Sequence, residues 1–219
     1  MPTAAKRIGI YGGSFDPVHL GHLIAAEAFA ETLSLDAVHL IPTAVSPLKP
    51  GGPVASDEQR LEMLRMAAGG LQHLIVDDRE IRRGGSSYTV DTLASFHQSG
   101  EPSEDGNGET MSDDVELFLL VGADSLVTFS QWKEPEKILR LATLAVANRG
   151  GHAPIDYDYL KPHTDAETLQ RITQHQIDMP QIDISSSDLR DRIAKKHSIR
   201  FRVPAAVRSM IANEGMYDG

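Results

Sequence analysis

The chain has 219 residues, is 41% hydrophobic and carries a formal net charge of −10. That is enough apolar material for one sizeable core, and the acidic balance argues against a general nucleic-acid binder, which shows a basic face, while a small anion held by local cations stays open. There is no cysteine, which excludes disulfides, thiolate zinc sites and a cysteine nucleophile.

The segment Met1 to Arg7 lacks the apolar run of a secretion signal, and no stretch is long enough to span a bilayer. A cytoplasmic protein with no membrane partner is the simplest expectation.

Arg7 to Tyr11 reads as a first strand. It continues through Gly12-Gly13-Ser14-Phe15-Asp16-Pro17-Val18-His19-Leu20-Gly21-His22 into a helical pattern from Leu20 to about Leu33. Gly12 and Gly13 allow unusual dihedrals and close approach of a ligand. Asp16 is placed to cap the helix, with Pro17 in its first turn. The helix N-terminus would then face the loop with free N–H groups and the positive end of its dipole. His19 and His22 are spaced to share one face, with Gly21 leaving it bare. Two imidazoles beside a helix start suit a polyphosphate.

Ala37 to Ile41 is a second strand, followed by a loop rich in Pro and Gly from Thr43 to Pro53 that contains Lys49. Ser56-Asp57-Glu58-Gln59 has capping-box form and opens a helix carrying Leu61, Leu64 and Ala68. Leu74 to Val76 is a third strand. Arg79 to Thr89 reads as a polar, cationic connection, and Thr89 opens a short helix with Val90, Leu93, Ala94 and Phe96. Ser99 to Asp114 is rich in Gly, Ser, Asp and Glu without Lys or Arg, and reads as an acidic flexible loop.

Glu116 to Gly122 is a continuous apolar run suited to a central parallel strand. Helices follow from Asp124 and from Pro135, then a strand at Leu144 to Ala147 ending at Asn148-Arg149. Asp165 to Gln174 has helical character and Ile182 to Ile184 reads as a short strand. Ser185-Ser186-Ser187 opens a helix, and a last helix runs from Pro204 to Gly215. Strands alternating with helices predict an α/β, Rossmann-like doubly wound fold with a mostly parallel sheet and helices on both faces, in one domain over 1–219 whose C-terminal helical part is 180–219. The polar loops should meet at the C-terminal strand ends, where such a sheet holds its ligand.

The serine triplet offers hydroxyls and helix-start amides to an anion, and Arg190 lies one turn further on. Three other residues keep two readings. Asp124 is either a helix cap or a polar contact. Trp132 is either core or a flat ring for stacking, and its neighbours Gln131, Lys133 and Glu134 are poor company for a core. Arg149 is either a solvated cation or an anion contact.

The Gly12–His22 run resembles the G-G-[TS]-F-D-P-[IV]-H-x-G-H element of bacterial nicotinate-nucleotide adenylyltransferases. Ser87-Tyr88-Thr89 followed by Thr92-Leu93 is similar to their S-Y-T-x-x-T-L. Gly122 and Asp124 with Trp132 beyond, and Ile184-Ser185-Ser186-Ser187-Asp188-Leu189-Arg190, resemble two further motifs in the same order. One position departs, because Leu48 stands where the family usually has histidine before Lys49.

The resemblance implies adenylyl transfer from ATP to nicotinate mononucleotide. It implies His19, His22, Lys49 and Arg190 as catalytic groups. ATP contacts would come from Gly12, Gly13, Ser14, Phe15, His19, His22, Gly122, Asp124, Ile184, Ser185, Ser186, Ser187 and Arg190. Mononucleotide contacts would come from Ser14, Lys49, Ser87, Tyr88, Thr89, Trp132 and Arg149, with backbone donors near Ser87 to Thr89 favouring the acid over the amide. Mg²⁺ would arrive on the ATP phosphates, with no metal site of the protein's own. A pantetheine-phosphate adenylyltransferase-like enzyme or a non-catalytic nucleotide sensor stay as alternatives, and a homodimer stays open.

Overall fold

The structure is a computed structural model, and it describes residues 5–48, 51–97, 115–149 and 154–218. The expected acidic loop 99–114 and Lys49 lie outside the described residues. The strands are β1 (Lys6–Gly13), β2 (Ala37–Pro42), β3 (Leu74–Val76), β4 (Val115–Gly122), β5 (Thr143–Arg149) and β6 (Gln176–Met179). The α-helices are α1 (Leu20–Leu33), α2 (Asp57–Ala68), α3 (Arg79–Arg83), α4 (Thr89–His97), α5 (Asp124–Val127), α6 (Pro135–Leu141), α7 (Ala166–Thr173), α8 (Ser186–Ala194) and α9 (Ala205–Glu214). Two 3₁₀ segments, Phe129–Gln131 and Tyr157–His163, complete them.

The sheet order is β3-β2-β1-β4-β5-β6, and every described pairing is parallel. The order reverses between β1 and β4, which leaves a crevice beyond their C-terminal ends. Alternation along the central strands sorts the core onto the two faces. Phe118 and Leu120 of β4 face a cluster with α1, α2, α8 and α9 residues, while Leu117, Leu119 and Val121 face one with α4, α6 and α7 residues. Among the described residues no helix is long and apolar enough to cross a membrane.

Three expectations change. The sixth strand is Gln176–Met179 instead of Ile182–Ile184. The two stretches read almost alike, Gln176-Ile177-Asp178-Met179 and Gln181-Ile182-Asp183-Ile184. The first wins because Ile177 pairs with Ala147 of β5 and is fully buried, whereas Ile182 and Ile184 stay half-buried. The cationic connection after β3 also contains a helix, α3, closed by Gly84 at φ 68°. The α1 cap is His19, not Asp16.

The end of β3 is fastened by a buried ion cluster. Asp77 accepts from His39 Nδ1 at 2.8 Å, from Arg79 Nε at 2.8 Å and from the Arg79 amide at 3.0 Å. The Arg79 guanidinium lies over Phe96 at 3.4 Å and donates to Ser95, tying the sheet edge to α4. Burial alone would raise the Asp77 carboxyl. The hydrogen bonds and charges of His39 and Arg79 more than offset it and hold the carboxyl well below the usual carboxylate range.

A depressed folded-state pKa adds stability above the unfolded value, about 4, and that stability is lost as pH falls below it. Asp77→Asn should therefore lower stability at pH 7 by about 1–3 kcal/mol and flatten the loss below pH about 4. Urea melts across pH 2.5 to 7 test this; parallel profiles for the two proteins would contradict it.

Candidate active site

Gly12 and Gly13 finish β1, and neither has a positive φ. The unusual dihedral falls on Phe15 instead, at φ 48°, and its ring is fully buried. A Cβ on Gly12 or on Gly122, at the ends of β1 and β4, would meet nothing within 4 Å, so the backbone at the crevice is open to a ligand. Gly13 lies against the Phe15 ring, at 3.3 Å from a Cβ placed there.

His19 and His22 cap α1 reciprocally. The His22 amide donates to His19 Nδ1 at 3.3 Å, and the His19 amide donates to His22 Nδ1 at 3.3 Å. The two rings stack with centroids 3.7 Å apart, and Phe15 meets the His22 ring edge-on at 4.9 Å. Gly21 leaves room for this stack, since a Cβ there would come within 3.1 Å of the His19 ring and the ring would have to shift by a few tenths of an ångström. With Nδ1 accepting, a neutral imidazole carries its proton on Nε2.

The α1 amides do not fill the role expected of them. Leu20 N donates to Arg202 O at 2.9 Å, and His22 N and Leu23 N donate to His19 O at 2.9 and 3.3 Å. These first amides of α1 are therefore already engaged within the protein.

Asp16 is freed from capping and is 2% exposed. It accepts from Val54 N at 2.7 Å, Ala55 N at 3.1 Å and Tyr217 Oη at 2.7 Å. Arg190 Nη1 lies 3.6 Å from its carboxylate and donates to its carbonyl at 2.6 Å. Burial, then the Asp16 contact, push the Tyr217 hydroxyl far above its usual range, so it stays a donor. Arg60, fully buried, donates to Ser14 O at 2.8 Å and to Asp57 at 2.5 Å. The Arg60 and Tyr217 contacts escape a reading of the sequence because their partners lie 46 and 201 residues away.

The serine triplet divides its work. Ser185 caps α8 and accepts from Asp188 N at 3.1 Å. Ser186 donates to Pro17 O at 2.9 Å, joining α8 to the histidine loop. Ser187 accepts from Arg190 at 3.4 Å. All three hydroxyls thus have partners within the protein, and Arg190 reaches from α8 to the loop after β1. Ile184 is half-buried just before the cap.

Ser87 is likewise engaged within the protein. It is 7% exposed, and its hydroxyl accepts from Ala44 N at 2.9 Å. Its amide donates to Val45 O, and Tyr88 N donates to Ser86 O. Of the amides expected to face an acid group, Ser87 and Tyr88 are therefore already paired, which leaves that of Thr89 at the head of α4. Tyr88 and Thr89 are half-buried, and Lys133 Nζ lies 4.6 Å from the Tyr88 ring centroid.

Asp124 is exposed in the first turn of α5 and makes no cap, since the capping position is Ala123. Trp132 is half-buried against Phe129, with ring centroids 5.4 Å apart, and its indole nitrogen is buried without a hydrogen-bond partner among the described residues. Arg149 ends β5, and its side chain lies outside what is described. Asn148 Oδ1, beside it, is another buried polar atom without a partner and gave no sequence signal.

The cytidylyltransferase-like family profile matches residues 10–192. A Rhodopirellula baltica protein named probable nicotinate-nucleotide adenylyltransferase is 52% identical over 216 residues, covering 99% of this chain and 95% of its own. One of the same name from Roseiflexus castenholzii is 39% identical over 214 residues, covering 96% and 98%. In fold, the chain is similar to Plasmodium falciparum nicotinic acid mononucleotide adenylyltransferase complexed with NaAD. The TM-score is 0.71 at 18% identity, over 97% of this chain and 98% of that one.

The Asp16 contacts make a ranked prediction for stability. Tyr217→Phe removes one hydrogen bond and should cost about 1 kcal/mol, whereas Asp16→Ala strands several buried donors and should cost about 3 kcal/mol or more. Urea unfolding of both variants checks the order; equal small losses would show that the carboxylate does not hold the loop.

Proposed function

This chain belongs to the nicotinate-nucleotide adenylyltransferases within the cytidylyltransferase-like family, and from that premise we propose how its site transfers the adenylyl group of ATP to nicotinate mononucleotide. The products are deamido-NAD and pyrophosphate, so the reaction is a step of NAD biosynthesis. The mononucleotide phosphate oxygen attacks the α-phosphorus of ATP. A new P–O bond forms as the bond to the bridging oxygen breaks, and pyrophosphate leaves with that electron pair.

The observation that carries the reading is the stacked histidine pair. The two rings are fixed by backbone bonds and stacking in the loop after β1, and Arg190 binds the Asp16 carbonyl of that same loop. Such preorganised donors stabilise charge gathering on phosphoryl oxygens without reorganising during the step. Arg190 adds a planar cation suited to phosphate, and the α8 amides add dipoles. Lys49 would reach the phosphates from the loop after β2.

For the mononucleotide, Trp132 offers a flat ring to the pyridine, the Tyr88–Thr89 start of α4 offers backbone polarity, and Arg149 offers charge to the phosphate. Asp124 would meet the adenosine ribose. The Leu48 position gives up whatever a histidine there would supply.

Among the described residues no group of His, Cys, Asp or Glu is assembled to hold a metal ion. The donor set is cationic and hydroxylic, and it fits a metal-borne polyphosphate better than a bare cation. The divalent ion, magnesium in our reading, is accordingly part of the ATP substrate.

Pyrophosphate release with ATP and a panel of mononucleotides tests the substrate assignment, and release with nicotinate mononucleotide above all others is expected. His22→Ala should lower kcat by roughly 10²–10³, as for loss of one preorganised donor, and leave the mononucleotide KM nearly unchanged. A folded His22→Ala protein with near wild-type kcat would remove the imidazole from the mechanism.

A further inference from the structure

Ser130, His163 and Glu136 form a hydrogen-bonded line that the reaction above does not use. Ser130 Oγ lies 2.8 Å from His163 Nε2, and His163 Nδ1 lies 2.6 Å from Glu136 Oε1. The three come from the 3₁₀ turn Phe129–Gln131, the end of the second 3₁₀ segment and the first turn of α6. Their bond to His163 holds the Glu136 carboxyl below its usual range, so it is ionised at neutral pH and can only accept. His163 Nδ1–H then donates to that carboxylate, and Nε2 pairs with the Ser130 hydroxyl.

This is the order of a nucleophile, a base and an orienting acid. Acyl chemistry would also need donors for a developing oxyanion. The two amides after Ser130 are already taken, Gln131 N by Thr128 O at 2.9 Å and Trp132 N by Phe129 O at 3.0 Å. The line is therefore not built as a hydrolytic centre.

What it does hold is the turn that ends at Trp132. Phe129 is fully buried, with its ring 5.4 Å from that of Trp132 and 6.1 Å from that of His163. The Trp132 indole nitrogen has no hydrogen-bond partner among the described residues, and packing against Phe129 and the course of the turn set its plane. On the other side, Lys133 pairs with Asp91 of α4 at 3.0 Å. The turn is thus clamped between α4 and the His163 line.

We propose that Glu136, His163 and Ser130 are positioning residues that preset the Trp132 ring for the pyridine of the mononucleotide. This rests on the assignment of Trp132 to that ring. A stacking group fixed in advance avoids the ordering cost of binding, so loosening the turn should weaken mononucleotide binding and spare the phosphoryl step.

The chain has one tryptophan, so its emission reports this turn alone. His163→Ala and Ser130→Ala should each raise the mononucleotide KM, by up to about tenfold for loss of such a hydrogen bond. The KM for ATP and kcat should stay within about twofold. Indole emission should shift to the red and become more open to acrylamide quenching. If His163→Ala fails to fold by circular dichroism, Ser130→Ala, which deletes one hydroxyl, decides alone.

A folded variant with wild-type mononucleotide KM overturns the proposal, even if its emission changes, because the line would then be only a strap on the turn. Failure of the wild-type enzyme to use nicotinate mononucleotide would instead strike the substrate assignment, and the two failures are read from different proteins.

Discussion

A buried carboxylate must be matched by donors or cations, because an unmatched charge out of water costs several kcal/mol. Asp16 meets that demand with partners from every part of the chain. Val54 and Ala55 come from the loop before α2, Arg190 from α8 and Tyr217 from the C-terminal tail. Arg60 holds the adjoining carbonyl of Ser14 from within α2. One side chain at the end of the first loop thus sets where α2, α8 and the chain end sit around the crevice. The loop after β1 is placed by this convergence more than by its own turn preferences, and Phe15 keeps a left-handed φ of 48° within it.

The same constraint explains the histidines. With Asp16 turned inward, the cap of α1 passes to His19, and His22 returns the bond. Reciprocal capping fixes both rings and fixes which nitrogen carries the proton. A neutral imidazole that accepts at Nδ1 has no lone pair to offer at Nε2. In the proposed mechanism these rings therefore donate to phosphate oxygens and do not attack phosphorus. Gly21 belongs to the same device, since a side chain there would push into the His19 ring.

Much of this was legible in the sequence because it is written locally. The apolar runs of β1 to β5, the Ser56–Gln59 capping box and the Pro204 and Gly215 limits of α9 are short-range signals, and each stands as read. The Gly12–His22 and Ser185–Arg190 runs announced the two halves of the site, which Ser186 and Arg190 join. Signals that depend on distant partners were not legible. Asp16 looked like a cap because its real partners are 38 to 201 residues away. The Ala44 amide that donates to the Ser87 hydroxyl lies 43 residues away and left no local trace. The choice between the near-identical Gln176–Met179 and Gln181–Ile184 runs was made by the neighbouring strand, which no local pattern reveals. His163 carried no signal at all, since neither Ser130 nor Glu136 lies near it in sequence.

The central claim is that the histidine pair stabilises a direct transfer between two bound substrates and never carries the adenylyl group itself. The stereochemical course at the α-phosphorus tests this most directly. With ATP made chiral at that phosphorus by a single sulfur, one in-line displacement inverts the configuration in the dinucleotide product. The account predicts inversion. Retention would require two displacements through an adenylyl-enzyme, and would contradict the assignment of His19 and His22 as fixed donors.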